Sequence, residues 1–267
     1  MRLATWNVNS LRSRMPRLEP WLERVQPDVV ALQETKLSTH DPALAGLERR
    51  LAALGYDVAH HGTGGYAGVA IASRVGLEDV ERGLPDEPPY DGRSEPRAVG
   101  ATCGGVRVWS LYAPNGRRLR HPHWEYKLAW LEALRAASAG WLAADPGLPL
   151  VLAGDFNVAP QEEDVWSVDF WSTRTHFSPP ERAAVAALLE VGLVDLARPH
   201  TPGPGGWTFW EHLHERFVKR QGLRIDFLLG SPAVAARVEG AAVDVAERAA
   251  AGTSDHAPVV VQVTDPS

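Results

Sequence analysis

One cysteine, Cys103, is the whole thiol content of the chain, so no internal disulfide and no cysteine metal cluster can form from it. It reads as a small core hydrophobe. No uninterrupted apolar run approaches the ~18 residues that a bilayer span needs, and Met1 to Trp6 lacks the apolar core of a signal peptide. The expectation is a soluble, cytoplasmic protein without membrane contact. A basic excess is also missing. The net charge is -6 and the pI about 5.9, which weighs against a nonspecific nucleic-acid coat and leaves room for a local basic groove. Neither a low-complexity linker nor an internal repeat divides the 267 residues, of which 45% are hydrophobic, so one domain over 1–267 is expected.

What the chain does have is a series of short apolar runs that end in polar residues. The run at Leu150–Ala153 reads as a buried strand and stops at Gly154-Asp155-Phe156-Asn157. Asp155 and Asn157, two apart, leave the strand end on one side. Gly, Asp and Asn are also ordinary turn residues, and a plain turn is the competing reading. Residues 2 to 8 form a similar strand ending at Asn7-Val8-Asn9-Ser10, with a helix predicted from there to about Val25, before Pro27. The segment Asp28–Thr35 repeats the pattern and delivers Glu34 at its polar end.

Leu44, Leu47, Leu51 and Leu54 have the spacing of an amphipathic helix over 41–54, ended by Gly55. Tyr56–His61 and Tyr66–Ser73 read as paired strands across a Gly-rich turn, and 84–97 as a surface loop. Alternation predicts strands at Arg97–Thr102 and Val106–Tyr112. The second opens into Tyr112-Ala113-Pro114-Asn115-Gly116 and the locally basic Arg117, Arg118 and Arg120, which suit either phosphate contact or plain solvation. A long helix follows from about His123 to Ala144, and another from about Glu181 to Glu190 after an irregular stretch. Pro199–Gly206 is a dense turn region. The aromatic patch Trp207-Thr208-Phe209-Trp210 precedes Arg216, Lys219, Arg220 and Arg224, a combination suited to stacking on unpaired bases or sugars and equally to core packing. Strands are predicted at Leu223–Leu229, carrying Asp226, and at Ala257–Val263, preceded by Ser254-Asp255-His256.

Asn7, Glu34, Tyr112, Asp155 with Asn157, Asp226, and Asp255 with His256 thus all fall at strand ends. Each alone has a structural explanation; together they suggest a site. Carboxylate and amide oxygens without cysteine suit a hard cation such as Mg²⁺ far better than zinc.

These motifs, with Trp6-Asn7-Val8-Asn9-Ser10-Leu11-Arg12, Leu32-Gln33-Glu34-Thr35-Lys36 and Gly222-Leu223-Arg224-Ile225-Asp226, fall in one order along the whole chain. In that order they resemble the exonuclease III-like abasic-site endonucleases of the endonuclease/exonuclease/phosphatase superfamily. The resemblance implies a four-layer α/β sandwich, two mixed β-sheets face to face with helices outside. It implies Glu34 as main Mg²⁺ ligand, with Mn²⁺ a possible substitute and Asn7 and Asp255 close to the metal or its waters. Asp155 matches the residue that orients or deprotonates the attacking water, and Asn157 one that fixes this water; these two also mark a second-metal position. His256, held by Asp226, matches a phosphate-binding partner, and Tyr112 a residue that contacts the phosphate.

The resemblance also implies a substrate. Tyr112 belongs to the abasic endonuclease branch, where the deoxyribonuclease I branch has His. Phe209 and Trp210 sit where that branch places aromatics around a flipped-out sugar, with Leu223 and Ile225 completing a pocket that excludes a normal nucleotide by size. Asn9, Asn115 and Arg117 are the expected DNA contacts. Leu223 stands where some relatives have Trp, and Asn9 where some have Asp. The expected partner is double-stranded DNA with abasic sites or blocked 3′ ends, cut 5′ to the lesion by a monomer. The alternatives are a phosphodiesterase of the same superfamily acting on lipid or small phosphate esters, and a DNA-binding protein without catalysis.

Overall fold

A computed structural model describes residues 1–264. In chain order the first half runs β1 (Arg2–Asn7), α1 (Leu11–Val25), β2 (Val29–Gln33), α2 (Pro42–Ala53), β3 (Asp57–His61), β4 (Val69–Ser73) and β5 (Glu78–Arg82). It continues with β6 (Ala98–Cys103), β7 (Val106–Tyr112), α3 (Pro122–Ala144), β8 (Leu150–Asp155), α4 (Val168–Trp171) and α5 (Pro179–Glu190). The remainder is β9 (Val194–Asp195), β10 (Asp226–Gly230), α6 (Pro232–Ala235), β11 (Val238–Val243), α7 (Val245–Ala249) and β12 (Val259–Val263).

The strands form two six-stranded mixed sheets, β11-β12-β1-β2-β4-β3 and β5-β6-β7-β8-β10-β9. Each is built around one parallel pair joined by a helix: β1 with β2 through α1, and β7 with β8 through α3. Every other pairing is antiparallel. The period of two along each strand sorts the side chains into layers. Leu3, Ala31 and Ile71 from one sheet meet Val108, Ala153 and Leu228 from the other in an inner core of mostly Val and Ala. Ala4, Trp6 and Leu32 face outward onto α1 and α2, while Leu111, Leu152 and Leu229 face α3 and α5. Helix, sheet, sheet, helix is the four-layer sandwich expected. A buried polar link also crosses the inner core, where Gln33 Nε2 donates to Ser110 Oγ at 3.1 Å and Ser110 Oγ donates to Leu32 O at 3.0 Å.

Several expected boundaries shift. The predicted strand Tyr66–Ser73 pairs only from Val69, because Ala67 and Gly68 take positive φ and turn the chain. Leu223 makes isolated bridges to Val165 and Phe209, and the continuous ladder starts at Asp226. The edge strands β5, β9 and β11 were not expected; β5 is exposed at all five positions, so it carries no apolar alternation to read. The 84–97 stretch is largely a surface loop, but it ends in the fully buried Arg97.

Candidate active site

The parallel pairing of β1 with β2 sets Asn7 beside Gln33, so Asn7 and the next residue, Glu34, emerge at one sheet edge. In the facing sheet, β8 and β10 run antiparallel with Asp155 opposite Asp226, which brings the end of one strand to the start of the other. Gly154 permits the close approach of β7: a Cβ there would stand 2.0 Å from Leu111 O. Glu34 and Asn157 leave their strands at φ 52° and 53°, a left-handed turn that costs non-glycine residues roughly 1–3 kcal/mol and directs both side chains along the edge.

The side chains of the two sheets meet through Asn7. Its Nδ2 donates to Glu34 Oε1 at 2.9 Å and to Asp155 Oδ2 at 3.0 Å. Asp155 Oδ1 accepts from the Asn157 backbone N–H at 2.8 Å. His256 donates Nδ1–H to Asp226 Oδ2 at 2.9 Å, and its Nε2 lies 3.8 Å from Asp155 Oδ2. Ligand atoms of Glu34, Asp155 and His256 all fall within 4.8 Å of one another. Asp255, expected near the metal, stands outside this trio: its Oδ1 accepts from Asn9 Nδ2 at 3.0 Å and from Ser254 Oγ at 3.3 Å. Asn9, expected to contact DNA, is a bridge, since Lys36 Nζ donates to its Oδ1 and also pairs with Glu34 Oε2 at 3.0 Å.

Burial sets the electrostatics. It lifts the Asp155 carboxyl to about 7 against the pull of charged His256, with Asp226 adding to the rise. Burial opposes charge on His256, yet Asp226, Asp155 and Asp255 outweigh it and hold the imidazole up at about 10. Burial, then the charges of Glu34 and Asp155, push the Tyr112 phenol well above its ordinary range, so it stays a hydroxyl donor. A protonated His256 cannot ligate a cation. The oxygens of Glu34 and Asp155 are therefore the part of the trio that fits a hard divalent metal.

A cavity of about 810 Å³ adjoins this edge, lined in part by Phe209 and Leu223, expected around a sugar, and by Asn115 and Arg117, expected as DNA contacts. Asn115 Nδ2 donates to Asn157 Oδ1 at 3.3 Å, and the Phe209 ring lies 4.7 Å from that of His256. Trp210 and Ile225 do not line it, contrary to expectation. Ile225 is buried with Ala159, Val165 and Phe177, and Trp210 is buried edge-on to Phe217 at 5.2 Å. Phe209 and Trp210 are adjacent and face opposite ways, whereas Ile225, two residues from Leu223, packs with it in the same buried cluster and lies behind the cavity wall.

Sequence reasoning missed the residues behind the site. Thr208 Oγ1 donates to Asp226 Oδ2 at 2.5 Å, completing a Thr208–Asp226–His256 chain. Lys127, fully buried on α3, donates to Asn157 O at 2.6 Å and to Glu181 Oε1 at 2.5 Å. His176 Nδ1–H reaches the same Asn157 carbonyl at 2.6 Å. Arg97 donates to Tyr112 O at 3.1 Å and lies 5.1 Å from the Tyr112 ring. The one available signal was Lys127, a charge at helical spacing from Trp124, Trp130, Leu131 and Leu134.

Residues 4–256 match the model of the endonuclease/exonuclease/phosphatase family. Exodeoxyribonuclease III of Haemophilus influenzae is 31% identical over 269 residues, covering 97% of this chain and 98% of the relative. The solved structure of the 3′ phosphatase NExo from Neisseria, bound to a product DNA hairpin, superposes with a TM-score of 0.91 at 37% identity over 99% of both chains. An AP endonuclease from Archaeoglobus fulgidus superposes with a TM-score of 0.90 at 34% identity over 98% of this chain and 99% of its own. The chain belongs to the endonuclease/exonuclease/phosphatase family, among its exodeoxyribonuclease III-like members.

Proposed function

We propose that this DNA repair nuclease hydrolyses phosphate esters in duplex DNA with Mg²⁺ as cofactor, cutting 5′ to abasic sites and clearing blocked 3′ ends. One observation carries the reading: Asn7 joins Glu34 of one sheet to Asp155 of the other, beside a His256 that Asp226 holds charged. Bound at Glu34 and its neighbours, Mg²⁺ supplies charge neutralisation on the phosphoryl oxygens and help for the departing oxygen. Charged His256 presents Nε2–H to a phosphoryl oxygen, and Asp226 fixes the ring by holding Nδ1–H. Asp155, its other oxygen pinned by the Asn157 N–H, accepts a proton from the attacking water. Tyr112 keeps its proton and donates a hydrogen bond to the phosphate.

Each activity has a similar solved structure beside it: the Archaeoglobus fulgidus protein is described as an AP endonuclease. The similar Neisseria protein is described as a 3′ phosphatase. A gel assay comparing an abasic duplex, an intact duplex and duplexes with blocked or recessed 3′ ends, with and without chelator, tests the proposal. Chelator-sensitive cleavage of the damaged substrates supports it. Preference for lipid or small phosphate esters, or DNA binding without any product, sinks it.

A further inference from the structure

The cavity beside the catalytic edge extends onto an aromatic surface that hydrolysis itself does not need. On the catalytic side it is lined by Asn115 and Phe209, which touch Asn157 and His256. The same cavity is lined by Trp166, Phe170, Arg174 and Arg216. The Trp166 and Phe170 rings lie 5.0 Å apart at 39°. The Arg216 guanidinium sits 5.4 Å from the first ring and 5.3 Å from the second, and that of Arg174 sits 4.2 Å from Phe170.

The two rings are only half-buried, so packing leaves part of each facing the cavity. A phosphate has no use for such faces. A nucleobase has, because stacking on an aromatic ring or a guanidinium plane is indifferent to sequence and substantial in energy. At about 810 Å³ the cavity is far larger than a baseless sugar and lies in the range of sites that hold whole organic ligands. Four arginines line it (117, 118, 174 and 216) against the single acid Glu211, a local excess of positive charge on a chain of net charge -6.

We propose that Trp166 and Phe170, flanked by Arg174 and Arg216, bind an unpaired nucleobase of the DNA next to the hydrolysed phosphate. The shelf makes the enzyme favour ends or lesions at which a base is already out of the helix, since no unpairing has to be driven by the protein. The inference rests on the proposed DNA hydrolysis at the Glu34–Asp155–His256 edge.

The test places 2-aminopurine at an unpaired 3′ terminus, opposite an abasic site, or inside a fully paired duplex. Phosphorothioate linkages slow hydrolysis while the protein is titrated in Mg²⁺. Fluorescence quenching is expected at the unpaired terminus, at the base opposite the lesion, or at both, and the pattern identifies which base the shelf takes. Quenching only in the paired duplex, or nowhere, overturns the proposal. Trp166→Leu combined with Phe170→Leu is expected to abolish quenching and to remove an advantage of about ten-fold for frayed over paired 3′ ends. Phe170→Tyr, which keeps a ring, is expected to retain both and guards against a folding artefact in the double variant. An unchanged ratio in a folded double variant overturns the shelf. If the wild type cleaves no DNA the catalytic reading fails instead, and quenching alone still decides the shelf.

Discussion

His256 donates Nδ1–H to Asp226 Oδ2 at 2.9 Å, and both side chains are buried, so the charge of the imidazolium is answered inside the protein. Removing that answer is expected to matter for turnover far more than for folding. Asp226→Asn keeps the shape and the hydrogen-bond acceptor but loses the charge that sustains His256. The expected loss in kcat is about 10²-fold or more, with a far-ultraviolet spectrum like the wild type. Near-normal turnover removes Asp226 from the site.

The metal dependence is expected to reside in Glu34, whose Oε1 is held by Asn7. Glu34→Gln is expected to raise the Mg²⁺ concentration for half-maximal cleavage by at least about ten-fold. A Mg²⁺ titration of the gel assay measures this, and chelation is expected to abolish cleavage in the parent protein. An unshifted titration moves the metal away from Glu34.

Lys127 and Glu181 are fully buried and paired at 2.5 Å, and burial is opposed by Lys127 so that Glu181 is held down at about 2. Lys127→Met strands an acid in the interior and is expected to cost about 3–5 kcal/mol in urea unfolding. Lys127→Met with Glu181→Leu is expected to recover only a small part of that stability, because Thr175, His176 N–H and Ser178 lose the acceptor they share with Lys127. It is not expected to recover kcat, because the Asn157 carbonyl still lacks its cationic donor.

Acid is expected to destabilise the fold through histidines kept neutral. Burial, with His61 and Arg82 adding, lowers His60 from 6.5 to about 4, where it sits between Thr35 and Thr39. Between those two pH values the unfolded chain binds a proton that the folded chain does not. The stability is therefore fully present above pH 6.5 and declines as the pH falls toward 4, by about 3 kcal/mol for this residue. His123 and His176 shift in the same direction. Urea midpoints followed from pH 7.5 to 4.5 are expected to fall less steeply in His60→Asn.

What could be read in the sequence was whatever the strand period exposes. Asn7, Glu34, Asp155 and Asp226 are polar residues at the ends of apolar runs, and the sheets had only to align for them to converge. Trp210 was misplaced because a motif names residues without saying which face of the chain is packed, and Ile225 because it does not say how deep a residue lies behind its neighbour Leu223. Arg97 and Lys127 were overlooked for a related reason. A buried cation looks like a solvated one until its partners, here Tyr112 and Glu181, are brought from distant parts of the chain. The strand β5 was invisible because all five of its side chains face solvent.

The inner layer between the sheets is built from narrow side chains, Ala31, Ala101 and Ala153 among several valines. Since Glu34 hangs from one sheet and Asp155 from the other, this layer acts as a spacer gauge for the carboxylates, far from any substrate. A bulkier residue at one of these alanines would lever the sheets apart and stretch the reach of Asn7, so that nuclease activity could be lost with every site residue intact.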